Sequence, residues 1–285
     1  MGKLLRAEFY RTLHRRDFYL MFLLVGMLFF FFYSGLGCVI RSKIIFDWME
    51  NSPSNLKECV AVLQLRLGLT MDDFSSVNDL VERYLLYIFG GEILSEINPF
   101  PFFSLFLSTL LIGMGFKKRT INDSMYQGYS RLQIFLAKTF HYYIVAITVS
   151  LFWVLTYLWY IYGARGFQIL TAKYVIRCLL MLTYVILGVF SYPLLITFIT
   201  RDVLWSSLLN LLWFFILLVV SRIDIPRIIK CIVNPMFLAQ ERTVLWAPEL
   251  SLTTSQWTIF FVTPASVFLF TVIFSFFLFR RAELK

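Results

Sequence analysis

Residues 18–40 read FYLMFLLVGMLFFFFYSGLGCVI, an apolar run without a charged side chain. As a helix rising about 1.5 Å per residue, a run of this length crosses a hydrocarbon core of roughly 30 Å. The run is too long for the apolar part of a cleavable signal peptide, and no clear small-x-small cleavage site follows it. We therefore expect a retained first membrane helix.

Five more uncharged runs of similar length occur further along the chain: residues 99–116, 139–162, 178–199, 203–220 and 259–279. The chain is 59% hydrophobic and 19% aromatic, a composition that excludes a soluble domain of 285 residues. The six runs together predict an all-α integral membrane protein in which residues 1–285 form a single domain with six transmembrane helices.

Basic residues are distributed unequally between the segments that join these runs. If the N-terminus is inside, the inner segments (1–17, 117–138, 200–202 and 280–285) hold 14 basic and 5 acidic residues. The outer segments hold 12 of each, so the whole formal charge of +9 lies on one side. By the positive-inside rule we expect both termini in the cytoplasm of a multi-pass plasma membrane protein. Because topology explains the basic balance, we expect no nucleic-acid partner.

The segment before the first run, residues 1–17, has the pattern of an amphipathic helix. Leu5, Phe9 and Leu13 recur at a spacing of four, and the arginines of the segment take the other faces. Such a helix lies in the headgroup layer of an acidic inner leaflet. An ordinary basic flank of the first membrane helix would explain the same pattern.

The two long segments on the expected outer side differ in character. Residues 41–98 are divided by prolines and glycines, and they are expected to form a helical insert outside the cytoplasm. Residues 221–258 contain short apolar pieces, which favour helices that re-enter the membrane before the sixth span. Irregular backbone at that depth must be buried in protein or line a wet cavity.

The sequence contains few groups that could carry out chemistry. His14 and His141 are the only histidines, and the four cysteines fit no metal-site spacing. No G-x-x-x-x-G-K-[ST] loop is present, which argues against an ATPase site in this chain. None of the six runs contains an acidic residue, which disfavours coupling to protons or sodium. We therefore expect neither enzyme activity nor a bound cofactor.

The inner segment between the second and third runs, residues 117–138, has the most informative local pattern. Asn122 or Asp123 is expected to cap a short helix that Gly128 ends. Ser130 is expected to cap a second helix that continues into the third span. This pattern predicts a helix, a break and another helix that project from the inner face, a rigid protrusion suited to receive force from a soluble partner.

Within this segment, Gly128-Tyr129-Ser130-Arg131 is followed by Ile134-Phe135 and Lys138. The run resembles the Gly-x-Ser-Arg-x-x-Ile-Phe-x-x-Lys motif that follows the second span of type-2 ABC exporter permeases. It is most similar to the six-span permeases of bacterial antimicrobial-peptide export and lantibiotic immunity systems. Residues 4–11 resemble their amphipathic first helix, and residues 279–284 resemble their short basic tail.

The resemblance implies a permease subunit of an ABC exporter from a bacterial membrane. It implies two permease chains, identical or different, and two separate ABC ATP-binding subunits that hold ATP and Mg²⁺. The cargo would be an amphipathic peptide, such as an antimicrobial peptide, or a lipid-like molecule. In relatives, the loop after the second span is a coupling helix that docks on the ATPase. Carried over to this chain, that interface comprises Asn122, Asp123, Tyr126, Gln127, Gly128, Tyr129, Ser130 and Arg131.

Small and polar side chains in the first, second and fifth spans permit close contact between helices. Ordinary packing within one chain and contact with a second permease chain both explain such residues. The candidates for the permease dimer or the transport pathway are Ser34, Gly35, Gly37, Gly113, Gly115, Ser206, Ser207 and Asn210. Asn210 is the strongest of them, because a buried amide surrounded by lipid needs a partner.

Two other classes of function compete with the exporter. The first is a membrane sensor or immunity scaffold that binds a peptide at the outer face without transporting it. The second is a membrane-embedded enzyme that acts on lipid, which the shortage of convergent His, Asp and Glu residues disfavours. ATP-dependent flux in vesicles that contain the partner ATPase would exclude the scaffold.

Overall fold

The computed structural model describes residues 1–35, 99–169, 172–223, 226–233 and 254–281. In this part of the chain the regular elements are helices, and no strand occurs. The helices are α1 (Gly2–Leu13), α2 (Arg16–Gly35), α3 (Pro99–Ser108), a π-helical turn (Thr109–Gly113), α4 (Met114–Lys117), α5 (Thr120–Tyr126), α6 (Arg131–Ile169), α7 (Ala172–Thr200), α8 (Val203–Arg222), α9 (Arg227–Val233) and α10 (Thr254–Arg280). The prediction of an all-α protein is confirmed for these residues.

Some predicted features lie outside the described residues. They are the end of the first run (36–40, including Gly37), the outer insert (41–98), and residues 234–253 of the segment expected to re-enter the membrane. The described start of that segment contains the short helix α9.

Three described segments are long and apolar enough to cross a membrane: Arg131–Trp153, Thr183–Thr200 and Phe261–Arg280. Two shorter apolar helical segments accompany them, Phe103–Lys117 and Val203–Leu217. On the outside of α8 and α10, large side chains such as those of Leu204, Leu208, Phe270 and Phe277 are more than half exposed. Apolar surface on this scale needs lipid or another apolar partner, so the chain is a membrane protein.

Helix α7 is the centre of the bundle and packs against α3, α6, α8 and α10, most extensively against α10. At one end of the bundle, three phenylalanine rings from α6, α7 and α10 pack together. The ring of Phe135 on α6 lies 5.1 Å from that of Phe198 on α7, which lies 5.7 Å from that of Phe279 on α10. Aromatic pairs at such separations add to the energy of burial.

The second predicted run is helical throughout but is not a regular α-helix. Residues Thr109–Gly113 form a π-helical turn between α3 and α4. The hydroxyls of Ser108 and Thr109 both donate to the carbonyl oxygen of Leu105, at 3.1 and 3.0 Å. Such turns are rare in proteins as a whole, and many of those that occur lie at functional sites. The apolar pattern of the sequence contains no signal for this turn.

The expected amphipathic helix at the N-terminus is present as α1, but its buried face differs from the expected one. The buried residues are Leu4, Glu8 and Thr12, one position earlier than the predicted apolar stripe. Leu13, at the end of that stripe, is 53% exposed. Polar partners on α6 draw Glu8 and Thr12 inward, and a count of apolar residues takes no account of such partners.

A short turn joins α7 to α8, and the two helices pack against each other as a hairpin. Thr200 ends α7 and Val203 begins α8. The carboxylate of Asp202 caps α8 by accepting hydrogen bonds from the amides of Leu204 and Trp205, at 2.8 and 3.0 Å. Satisfying two otherwise unpaired amides in this way stabilises the start of the helix by about 1 kcal/mol.

Candidate functional site

The helix ends that carry the charges of the predicted inner segments lie together at one end of the bundle, here called the charged end. Two arginines connect these helix ends. The guanidinium of Arg131, at the start of α6, donates to the carbonyl of Arg280 at 2.6 Å. That of Arg201, between α7 and α8, donates to the carbonyl of Leu278 at 3.3 Å. Both therefore satisfy carbonyls in the last turn of α10, where a helix has no internal donors and favours positive charge.

Helix α5 begins earlier than expected. The prediction that Asn122 or Asp123 caps it is wrong, because both residues lie inside α5. The preceding residue is Arg119, in the left-handed region with a φ of 54°. The hydroxyl of Thr120 donates to the carbonyl of Gly115 at 3.2 Å, which ties the first residue of α5 to α4. The first residue of α5 is thus held by a contact with the preceding helix, five residues earlier, rather than by a side-chain cap.

The predicted end of α5 at Gly128 is confirmed. Gly128 has a φ of 85°, in the region where L-residues with a Cβ are strained. Its amide donates to the carbonyl of Met125 at 2.9 Å, and the amide of Tyr129 donates to that of Ser124 at 3.3 Å. These two bonds define a Schellman motif, which satisfies carbonyls at the end of a helix.

The predicted cap at Ser130 is confirmed as well. The hydroxyl of Ser130 accepts from the amide of Gln133 at 3.2 Å, and the side-chain oxygen of Gln133 accepts from the amide of Ser130 at 3.1 Å. This reciprocal pair is a capping box, and it starts the 39-residue helix α6 in a defined direction.

Residues 118–130, here called the protrusion, contain seven of the eight predicted interface residues, and Arg131 directly follows them. Five of the eight are exposed: Asp123, Tyr126, Gln127, Gly128 and Ser130. Tyr126 is 88% exposed, the highest value among the large apolar side chains of the described residues. Asn122, Tyr129 and Arg131 are half-buried. Five of the eight predicted residues are therefore accessible to a partner.

A buried ion pair, which the sequence pattern did not predict, joins α1 to α6. The Nζ of Lys138 lies 3.0 Å from Oε2 of Glu8, and the two residues are 4% and 6% exposed. The guanidinium of Arg11 donates to the other carboxylate oxygen of Glu8 at 3.2 Å. No signal in the sequence indicates this pair, because the burial of Glu8 is visible only in the structure and its partner lies 130 positions away.

Burial would raise the pKa of the Glu8 carboxyl, since it penalises the charged form. The charge of Lys138 and its hydrogen bond act in the opposite direction, and Arg11 and His141 add further attraction. The result is a pKa below the ordinary value of a glutamate, so Glu8 is ionised at neutral pH. Burial lowers the pKa of the Lys138 ammonium, and the charge and hydrogen bond of Glu8 oppose this effect, so each charged form is favoured by the other.

His141 has a packing role one helical turn after Lys138. Its ring shares a hydrogen bond with the hydroxyl of Thr12 at 3.2 Å and contacts the ring of Phe9 edge-on at 4.7 Å. Within the described residues, no group of three or more His, Cys, Asp or Glu residues is placed to hold a metal ion.

Four of the residues considered for a permease dimer are buried by their own chain: Gly113, Gly115, Ser206 and Asn210. The side-chain amide of Asn210 on α8 donates to the hydroxyl of Ser108 on α3 at 3.1 Å. The hydroxyls of Ser206 and Thr200 lie 2.6 Å apart across the α7–α8 turn. Packing within one chain accounts for these contacts.

The other dimer candidates lie elsewhere. Ser207 is exposed on α8, and its hydroxyl donates to the carbonyl of Val203 at 2.8 Å. Ser34 and Gly35 lie in the last turn of α2. Gly37 lies outside the described residues.

Comparisons of the chain with protein-family models, curated proteins and solved structures find no match. The resemblance of residues 128–138 to exporter permeases therefore stays a prediction. The structure adds the geometry of the protrusion, in which the short helix α5 ends in a Schellman motif and exposes the ring of Tyr126. This helix stands between the ends of two apolar helical segments, α3–α4 and α6.

Proposed function

We propose that the chain is the transmembrane permease subunit of an ATP-driven ABC exporter, and that the protrusion is its coupling element. Two such chains, or one with a sister chain, would assemble with two ABC ATP-binding subunits, which bind ATP and Mg²⁺. The observation that carries the proposal is the construction of the protrusion: an exposed tip on a base whose two ends are both fixed.

The fixed ends matter because a flexible loop would absorb the displacement of its tip. Thr120 ties the start of α5 to Gly115, and the Schellman motif at Gly128 ends the helix in one geometry. The capping box at Ser130 then starts α6 directly. A push on α5 is therefore passed to α4 and α6, and from α6 to α7 and α10, which pack against it.

The exposed surface of the protrusion suggests the chemistry of the partner. Tyr126 offers an aromatic anchor, a residue type that is enriched at energetically dominant positions of interfaces. Lys118 and Arg119 are exposed at the beginning of the same segment, and the exposed Lys117 directly precedes it. The complementary surface is a groove that accepts an aromatic ring and carries carboxylates along one side.

The proposal includes six spans, both termini in the cytoplasm and a bacterial plasma membrane. The three long apolar segments and the two shorter ones support it, as does the grouping of the basic helix ends at the charged end. In this arrangement α1 lies in the headgroup layer. Since none of the six apolar runs contains a charged residue, the expected cargo is an amphipathic peptide or a lipid-like molecule.

The test is purification of the tagged chain from its native host in mild detergent, with mass spectrometry of the proteins that accompany it. The wild type is expected to retain a P-loop ATPase, and Tyr126→Ala is expected to lose it while inserting normally. Tyr10→Ala is the matched control, because Tyr10 is also a well exposed tyrosine at the charged end, with 63% exposure.

A well-behaved chain that retains no ATPase under any condition would refute the proposal and favour the peptide-binding scaffold. Retention of the ATPase by Tyr126→Ala and also by a variant with alanines at residues 128–131 would refute the role of the protrusion. If the ATPase is retained by the wild type and lost by the variants, ATP-dependent flux of a labelled cationic peptide in vesicles containing both subunits would establish transport and its direction.

A further inference from the structure

Lys138 lies where three elements at the base of the protrusion meet. It belongs to α6, and its ammonium is paired with Glu8 of α1. A Cβ atom built on Gly115 of α4 would lie 3.0 Å from the same Nζ, so the ammonium rests directly against this glycine. Gly115 in turn accepts the hydrogen bond from Thr120 that starts α5. One side chain therefore connects α6, to which it belongs, with α4, and these are the two helices from which the protrusion arises.

The N-terminal segment contacts both sides of this base. On the side of α6, Glu8 binds Lys138 and Thr12 binds His141. On the other side, the guanidinium of Arg15, just after α1, reaches the carbonyl of Leu110 in the π-helical turn at 3.5 Å. Residues 8–15 thus span from the helix that follows the protrusion to the turn that precedes it.

We propose that Glu8 and Lys138 are a positioning pair, through which α1 acts as a brace that holds the protrusion at a fixed angle to the bundle. The functional meaning of this inference rests on the proposed function, because only a coupling element needs a fixed angle. The dependence of the protrusion's stability on the Glu8–Lys138 pair, in contrast, can be measured in this chain without a partner protein.

The reason is the burial of both charges. Removing one member of a buried pair leaves the other charge uncompensated, which is strongly destabilising, whereas an exposed pair contributes little. In Glu8→Gln the buried Lys138 must lose its proton or turn toward water, and in Lys138→Met the Glu8 carboxylate keeps only its contact with Arg11. Either variant removes the paired ammonium that rests against Gly115, and with it the packing that supports the first residues of α5.

The test is hydrogen exchange, followed by mass spectrometry, of the full chain in lipid nanodiscs without ATP or any partner. The single variants are Glu8→Gln, which keeps the shape of the side chain, and Lys138→Met. The third variant reverses the pair, Glu8→Lys with Lys138→Glu. Lys3→Met is the matched control, because Lys3 is an exposed cation on the same helix.

Both single variants are expected to raise exchange of amides 118–130 by at least about tenfold. The reversed pair is expected to return it to within about threefold of the wild type, with Arg11 opposing full recovery. Lys3→Met is expected to leave it unchanged.

Faster exchange in α1 alone would overturn the inference, since α1 would then be attached to the bundle without bracing the protrusion. Failure of the reversed pair to restore protection would also overturn it, by assigning the effect to packing rather than to charge. Neither result depends on the ATPase. Absence of a co-purifying ATPase refutes the proposed function and leaves this measurement unaffected, so the two failures are distinguishable.

Discussion

Replacing Gly128 by alanine is expected to loosen the protrusion without unfolding the bundle. The φ of 85° at Gly128 places the residue in the left-handed region, where a Cβ atom crowds its own backbone. A Cβ atom built at this position has no other heavy atom within 4 Å. The substitution therefore destabilises the turn only through backbone strain, because the new methyl group does not collide with neighbouring side chains.

That strain amounts to about 1 kcal/mol, the lower part of the range for a non-glycine residue in this region. Since about 1.4 kcal/mol corresponds to a factor of ten, the open form of the turn becomes about fivefold more populated. Asparagine tolerates the left-handed region better than alanine does, so Gly128→Asn should raise the open population about twofold.

Hydrogen exchange of amides 124–130 measures this opening, because the amides at positions 128 and 129 donate the two bonds of the Schellman motif. Gly2→Ala is the control, since Gly2 also has no heavy atom within 4 Å of a built Cβ but lacks the positive φ. Unchanged exchange in Gly128→Ala would refute the reasoning. So would an increase on the order of 100-fold that spread into α6, since a local strain of about 1 kcal/mol cannot produce it.

Three further predictions concern buried contacts. The ion pair of Glu8 should stabilise the docking of α1 at neutral pH, and the stabilisation should be lost as the pH falls through the lowered pKa of Glu8, because protonation removes the charge. Loss of protection of the α1 amides against hydrogen exchange should report this change. In Glu8→Gln the protection of these amides should no longer depend on this titration. Asn210→Leu should change the free energy of unfolding by about 1 kcal/mol or less. The variant loses the hydrogen bond to Ser108, but it also removes a buried Oδ1 that has no hydrogen-bond partner among the described residues. A loss above about 3 kcal/mol, measured by unfolding in detergent, would contradict this prediction. Gly26→Leu should lower the free energy of unfolding by about 1–3 kcal/mol, because even a Cβ atom at this position would overlap the indole ring of Trp153. An unchanged Tm and an unchanged tryptophan emission would contradict this prediction.

Local chemistry explains where the sequence predicted the charged end correctly. A glycine after a short helix and a serine three residues before a glutamine act on backbone groups within one turn, so their effects at Gly128 and Ser130 were readable without a partner. The start of α5 was not readable in this way. It depends on the contact between Thr120 and Gly115, which the packing of α4 against α5 creates.

The buried face of α1 shows a second limit. The spacing of apolar residues pointed to Leu5, Phe9 and Leu13, because such a count treats a glutamate as a residue for the surface. Lys138 reverses that preference by pairing with Glu8 in a buried position. Asn210 is a comparable case, since its need for a partner was predicted, whereas the identity of that partner as Ser108 of the same chain was not.

By itself, the sequence determined that this chain is a helical membrane protein with an asymmetric distribution of charge. It also determined that a capped break lies between α5 and α6. These properties depend on hydropathy, charge and backbone preference, which act within a few residues or over whole segments. Only the tertiary structure decided which face of α1 is buried, where the π-helical turn lies, and that Glu8 and Lys138 meet. These features depend on partners distant in the chain, and the energy of a buried charge or amide is set by those partners rather than by its neighbours in sequence.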